Sequence, residues 1–162
     1  MLPNSIQGNT IQILNILRYT INYTNLDYSK LLSPWKWLID EDKEIIVITK
    51  MGDLVLKDSS NMLYFLSITD GSMEHISNYF TDFSKNRLSA EQYYEIFQPT
   101  LIENLEELDD KNLKEDQIYA YRILPVNGGE NSVTNIFCKD IYEHFILASA
   151  AHKEIDKLRI SS

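Results

Sequence analysis

The sequence has a single cysteine, Cys138, in 162 residues. An internal disulfide is therefore excluded, and the chain reads as a protein of a reducing cytoplasm. Basic charge is also in short supply. Lys and Arg number 15 against 24 Asp and Glu, a net charge of -9. Such a surface repels DNA, RNA and anionic lipid, so direct nucleic-acid or membrane binding is not expected. No apolar run is long enough to span a bilayer, and no secretory leader is evident at the start. The few glycines make neither a phosphate loop nor a dinucleotide fingerprint. Gly128 and Gly129 lack the following Lys-Ser/Thr of the first and the third glycine of the second.

What the chain does have is the composition of one folded domain. Hydrophobic residues make up 44% and aromatic residues 11%, enough to argue against disorder and to build a core without a metal or disulfide staple. No repeat or low-complexity tract interrupts it.

Periodicity then divides the chain. Thr10 caps an expected helix to about Tyr23, with Ile11, Leu14, Leu17 and Ile21 as its buried stripe. Residues 24–34 read as a connection. Trp35 and Trp37 open a sheet region, one facing the core and the other half exposed. Three strands follow as an antiparallel meander: 44–50, 53–57 and 62–68. Within the second, Leu54 and Leu56 share one face and Val55 takes the other. Thr69, Asp70 and Gly71 end the sheet. Ser72 is read as the cap of a helix bearing Ile76, Phe80 and Phe83. Ser89 and Gln92 suggest a capping box for the next helix, which Pro99 interrupts before a further one through Leu101, Leu105 and Leu108. Residues 118–124 and 133–138 form a hairpin around Gly128 and Gly129. Asp140 and Glu143 start a final helix to about Leu158, with Ile141, Phe145, Ala148 and Ile155 buried. The fold class expected is α+β: a single domain with a mostly antiparallel sheet, meander plus C-terminal hairpin, flanked by helices. Residues 1–34 would be a helical lead-in and residues 35–158 the main unit.

The candidates for chemistry are sparse. His144 and His152 lie eight residues apart on one helix, about 12 Å of rise, and cannot share one metal ion. Asp140 and His144 are one turn apart and would form a local pair. Cys138 has no neighbouring base and reads as a buried, inert thiol. Ser72 and Ser89 read as caps. No catalytic, cofactor or metal site is expected. The densest feature is acidic: Glu103, Glu106, Glu107, Asp109, Asp110, Glu115 and Asp116 against Lys111 and Lys114. It is either a solvated helix end or a surface complementary to a basic partner. Asp40, Glu41 and Asp42 form a second, smaller acidic group.

The order of short motifs carries a resemblance. Trp35, Trp37 and Leu38 come first, then the run from Met51 through Gly52 and Asp53 to Asp58. Tyr64 to Leu66, Asp70 with Gly71, Ile118 with Tyr119, and Pro125 follow. Gly128, Gly129, Asn135, Asp140, His144 and His152 complete the series. Over residues 35–158 the chain resembles the C-terminal domain of type VI secretion immunity proteins that neutralise DNase effectors. The resemblance implies a non-catalytic bacterial protein that binds a cognate toxin in the producer's cytoplasm and occludes its active site. It implies no cofactor, and a toxin with a basic surface. The acidic segment from Glu103 to Asp116 would then be the toxin-facing surface. A non-catalytic adaptor module and an enzyme with an unrecognised site are the alternatives.

Overall fold

The computed structural model describes residues 16–40, 42–77 and 88–161. Its centre is a four-stranded antiparallel sheet, β1 (Glu44–Ile48), β2 (Leu54–Lys57), β3 (Leu63–Ser67) and β4 (Ser72–Ser77), in the order β1-β2-β3-β4. Leu54 pairs with Leu66 and Val55 with Phe65, which fixes the register of the two central strands. The fourth strand corrects the sequence reading. Residues 72–77 form β4, with Met73 opposite Leu66, and do not form a helix capped by Ser72. Gly71, at φ +66°, supplies the turn, and Asp70-Gly71 acts as a hairpin dipeptide. Phe80 and Phe83 of the expected helix lie outside the described residues.

β2 is buried on both faces because the sheet separates two cores. On one side Ile45, Ile48, Leu54, Leu56, Leu66 and Ile68 meet a long helix through Ile141, Phe145 and Ala148. On the other, Val55, Leu63 and Phe65 meet Ile96, Phe97, Ile102 and Leu105. Each such buried side chain contributes about 1.5–3 kcal/mol of transfer free energy. Leu54 and Leu56 do share one face and Val55 the other, as the period of two requires.

The helices are α1 (Tyr28–Leu32), α2 (Ala90–Phe97), α3 (Pro99–Glu106) and α4 (Ile141–Ile160). α2 starts with the capping box expected, Ser89 with Gln92. It ends where Gln98 turns left-handed at φ +46° and Pro99 opens α3. A second ladder, β5 (Gln117–Tyr121) with β6 (Ile136–Asp140), forms the expected hairpin. β5 sends Ile118 and Ala120 into one core and Tyr119 and Tyr121 into the other. The Tyr119 N–H donates to the Lys50 carbonyl at 2.8 Å, which ties the hairpin to the β1–β2 turn.

The N-terminal portion departs from expectation. Residues 16–18 are helical, but Thr20 already bridges to Thr49, and Ile21 N–H donates to the Ile48 carbonyl. Leu17 is exposed while Ile16 is buried. Ile11 and Leu14 lie outside the described residues. Within the expected connection 24–34, Asp27 caps α1 by accepting from Lys30 N–H at 3.0 Å. Trp35 ends a 3-10 turn, Ser33–Trp35, and opens no strand. It is fully buried and stacks on the half-buried Trp37, the division of roles foreseen for the two indoles.

Candidate functional site

The acidic segment runs from α3 to the start of β5, and its carboxylates divide into three groups. Glu103 and Glu106 face inward along the chain's surface. Glu103 accepts a hydrogen bond from the Tyr19 hydroxyl at 2.6 Å and lies 3.4 Å from the Arg18 guanidinium. Glu106 pairs with Lys50 and, at 3.5 Å, with Arg18. Burial, then Glu103, pushes the Tyr19 phenol up to about 12. The helical spacing of 103 and 106 puts both on one face, where two cations neutralise them.

Glu107, Asp109 and Asp110 occupy the tip beyond α3 and are exposed. Glu107 is the C-cap, and Asp109 begins a 3-10 turn, Asp109–Lys111. Asp110 pairs with the Lys111 ammonium at 3.0 Å, and this hydrogen bond holds its carboxyl below the usual range. Glu115 and Asp116 stand at the entry to β5. Glu115 accepts from Asn25 at 3.3 Å. Asp116 is left-handed at φ +61°, and its carbonyl accepts from Ile141 N–H at 2.9 Å.

A cleft of about 660 Å³ lies beside this segment. Glu106, Glu115 and Asp116 line it together with Lys50, Asn25 and Lys114. The fold therefore brings three of the seven predicted residues to one cleft. Glu103, Glu107, Asp109 and Asp110 lie off its walls. Arg18, Tyr19 and Lys50 are the partners that sequence reasoning missed; nothing in their spacing joins them to a segment more than fifty residues away. Asp40 and Asp42 flank a separate cleft with Lys36 and Lys43.

The groups that could carry chemistry are capping, hydrogen-bonded or at least half-buried. Asp140 caps α4 by accepting from Glu143 N–H at 2.9 Å, so the local Asp140–His144 pair expected from spacing is replaced by a cap. His144 is buried with an unpartnered Nε2, and burial pulls its imidazole down to about 4. His152 Nε2 lies 3.2 Å from the Ile68 carbonyl and 3.0 Å from that of Thr69. The Cys138 thiol is half-buried and raised, mainly by burial. A raised thiol is a poor nucleophile at neutral pH. Among the described residues no three His, Cys, Asp or Glu side chains could hold a metal ion, and no helix is long and apolar enough to cross a membrane.

Around the glycine pair, Gly128 is left-handed at φ +87° and faces open space. Gly129 serves close approach, because a Cβ there would meet the Ile123 carbonyl oxygen at 1.8 Å. Asn135 fastens the same loop: its amide donates to the carbonyls of Ile123 and Glu130 and its oxygen accepts from Ile123 N–H. These residues shape the scaffold.

Residues 73–151 match the family model described as T6SS immunity protein Tdi1, C-terminal. The match begins in β4 and ends in α4, inside the span of the sequence resemblance. The crystal structure of Atu4351 from Agrobacterium tumefaciens is similar, with a TM-score of 0.52 and 13% identity, over 92% of this chain and 80% of that one. At that identity the likeness is one of fold. No curated protein matches the chain.

Proposed function

We propose that this chain, whose residues 73–151 match the family model of the T6SS immunity protein Tdi1 C-terminal domain, is an immunity protein that binds and neutralises a cognate bacterial toxin. The family match is the observation that carries the reading. It spans β4, α2, α3, the acidic segment, the β5–β6 hairpin and the first half of α4.

The finer reading concerns target and surface. The toxin we favour is a type VI secretion DNase, neutralised in the producer's cytoplasm by occlusion of its active site. A DNase must hold DNA in a basic cleft. The net charge of -9 supports such a partner, because opposite fields steer encounter and favour the correct pairing. The toxin-facing surface is the acidic segment, led by Glu107, Asp109 and Asp110, which project at the tip of α3, and by Glu115 and Asp116 at the cleft. Glu103 and Glu106 are already paired within the chain, so they contribute less. The chain acts as a binding protein and needs no cofactor in this reading.

Co-expression with the toxin encoded beside it tests the function. Rescue of growth and co-purification are expected; toxicity unrelieved by the co-expressed chain would remove the reading for that pair. The surface is tested separately by neutralising Glu107, Asp109, Asp110, Glu115 and Asp116 together. Weaker toxin binding and a flatter salt dependence are expected. Unchanged affinity would move the interface to another face.

A further inference from the structure

We infer that the cleft between the β3–β4 turn, the end of α2 and β5 receives one arginine side chain of the partner protein, its guanidinium held by Asp53, Asp70 and Glu95. The source of that arginine rests on the toxin-binding reading; the chemistry of the cleft does not.

The cleft encloses about 340 Å³. Asp53, Phe65 and Tyr121 form a buried floor, with Asp53 only 1% exposed. Asp70 and Glu95 stand exposed at the rim. No Lys, Arg or His lines it among the described residues. Among those residues no ion pair reaches any of the three carboxylates. This separates the cleft from the acidic segment, where Glu103, Glu106 and Asp110 each have a cation. A carboxylate taken out of water is costly unless a cation accompanies it, and Asp53 is such a group. Burial lifts its carboxyl to about 7, and the neighbouring Asp70 adds to the rise. A cation arriving beside the two would reverse that rise.

The floor and one rim carboxylate are set in place before any ligand arrives. Asp53 Oδ1 accepts Ile68 N–H at 2.7 Å. Asp70 Oδ2 accepts the Ser67 hydroxyl at 3.2 Å, and that hydroxyl accepts Asp70 N–H at 3.1 Å. Tyr121 is fixed by donating its hydroxyl to Asn131 Oδ1 at 2.7 Å. A bare metal ion does not suit these groups, because among the described residues no three His, Cys, Asp or Glu side chains could hold one. A broad, planar cation does suit them. Guanidinium presents a fork of N–H donors that can address carboxylates on different walls, and its faces pack on aromatic rings such as Phe65 and Tyr121. The volume is at the small end of ligand sites, which run from about 300 to 1,000 Å³, and matches a single side chain. Gln98, at the junction of α2 and α3, also lines the cleft. The acidic tip lies at the other end of α3, 8 residues on, a rise of about 12 Å. A partner that covers the tip is therefore within reach of the cleft.

Two titrations test this. In the first, the isotope-labelled chain alone is titrated with Nα-acetyl-arginine amide and, separately, with its uncharged citrulline analogue. Saturable shifts of the Ile68, Thr69 and Tyr121 amides are expected with the arginine probe only, and should weaken in Glu95→Gln. Absent shifts, equal shifts from the citrulline probe, or shifts indifferent to Glu95→Gln overturn the inference. In the second, toxin affinity is measured for the parent chain, Asp70→Asn and Glu95→Gln. Asp70→Asn should weaken binding by about ten-fold or more, and Glu95→Gln, at the rim, should slow association and flatten its salt dependence. A parent that binds the toxin, with variants that bind it equally, overturns this inference alone. A parent that binds no toxin overturns the toxin-binding reading and the arginine's source with it, and the first titration then decides the chemistry of the cleft. Glu95 is exposed on α2, so Glu95→Gln keeps the test open should Asp70→Asn misfold.

Discussion

Gly71 lies against the imidazole of His152 so closely that a Cβ on Gly71 would come 2.3 Å from the His152 Cγ. The contact joins the β3–β4 turn to α4 across the larger core. The same ring offers Nε2 to the carbonyls of Ile68 and Thr69, while Asp53 takes the Ile68 N–H from the opposite side. One turn is thus held through its N–H groups by the sheet and through its carbonyls by the helix.

Gly71→Ala should destabilise the fold by about 3 kcal/mol, combining a strained φ of +66° with displacement of the ring. His152→Ala should cost about 2 kcal/mol by leaving buried carbonyls without their partner. The double variant should be less destabilised than the sum, because the clash needs the ring. Urea unfolding of the four chains measures the coupling, and strict additivity would contradict this contact.

Gly128 and Gly129 are adjacent but should not be equivalent. Gly128→Ala meets nothing within 4 Å and bears only the strain of φ +87°, about 1 kcal/mol. Gly129→Ala drives a methyl into the Ile123 carbonyl. It should disrupt the loop that Asn135 fastens and cost several-fold more, about 3 kcal/mol or above. Comparable unfolding midpoints for the two variants would refute the assignment.

His144 and Asp53 should tilt stability in opposite directions. The His144 pKa falls from 6.5 unfolded to about 4 folded, so its imidazole costs stability as pH drops through that window. The Asp53 pKa rises from 3.8 to about 7, so its carboxyl costs stability as pH climbs through that window. The two effects oppose each other between about pH 4 and 6.5. His144→Phe should expose the falling slope of Asp53, and Asp53→Asn the rising slope of His144. Each slope is on the order of 1 kcal/mol per pH unit. Chemical unfolding across that range reads both, and variants with the parent's flat profile would refute the pairing.

Tyr19→Phe removes the donor to Glu103 and should cost about 1 kcal/mol. Replacing the exposed Glu107 and Asp109 by Gln and Asn should change stability by less than about 0.5 kcal/mol. Thermal melts compare the two. Any loss of toxin binding in the second variant would then reflect the surface and not the fold.

The meander, the capping box at Ser89, the break at Pro99 and the final hairpin and helix were legible because each has a local cause. Alternation, a capping side chain or a missing N–H acts within a few residues. β4 was not legible, because Met73, Glu74, His75 and Ile76 lack clean alternation. Ser72 with Ile76, Phe80 and Phe83 instead imitates a capped helix. The pairing of Met73 with Leu66 decided the matter, and the Asp70-Gly71 dipeptide was the available sign. Within the acidic segment the residues were evident but their division was not. Arg18 and Lys50 reach Glu103 and Glu106 only after the chain has folded, so no periodicity reports them.

α4 carries three buried polar side chains among its apolar ones, His144, Ser149 and His152. Ser149 donates to the Pro34 carbonyl at 2.6 Å while accepting the Trp37 indole N–H at 2.8 Å. His152 meets the β3–β4 turn, and the N-cap Asp140 fixes the start. An apolar stripe repeats every turn, so by itself it would tolerate a helix slid by one turn, about 5.4 Å. Ser149 and His152 have no such repeat. A displaced helix would bury both without partners, at about 1–3 kcal/mol each. These groups therefore index the helix along the sheet, selecting one seating of α4 from several that the apolar residues alone would accept.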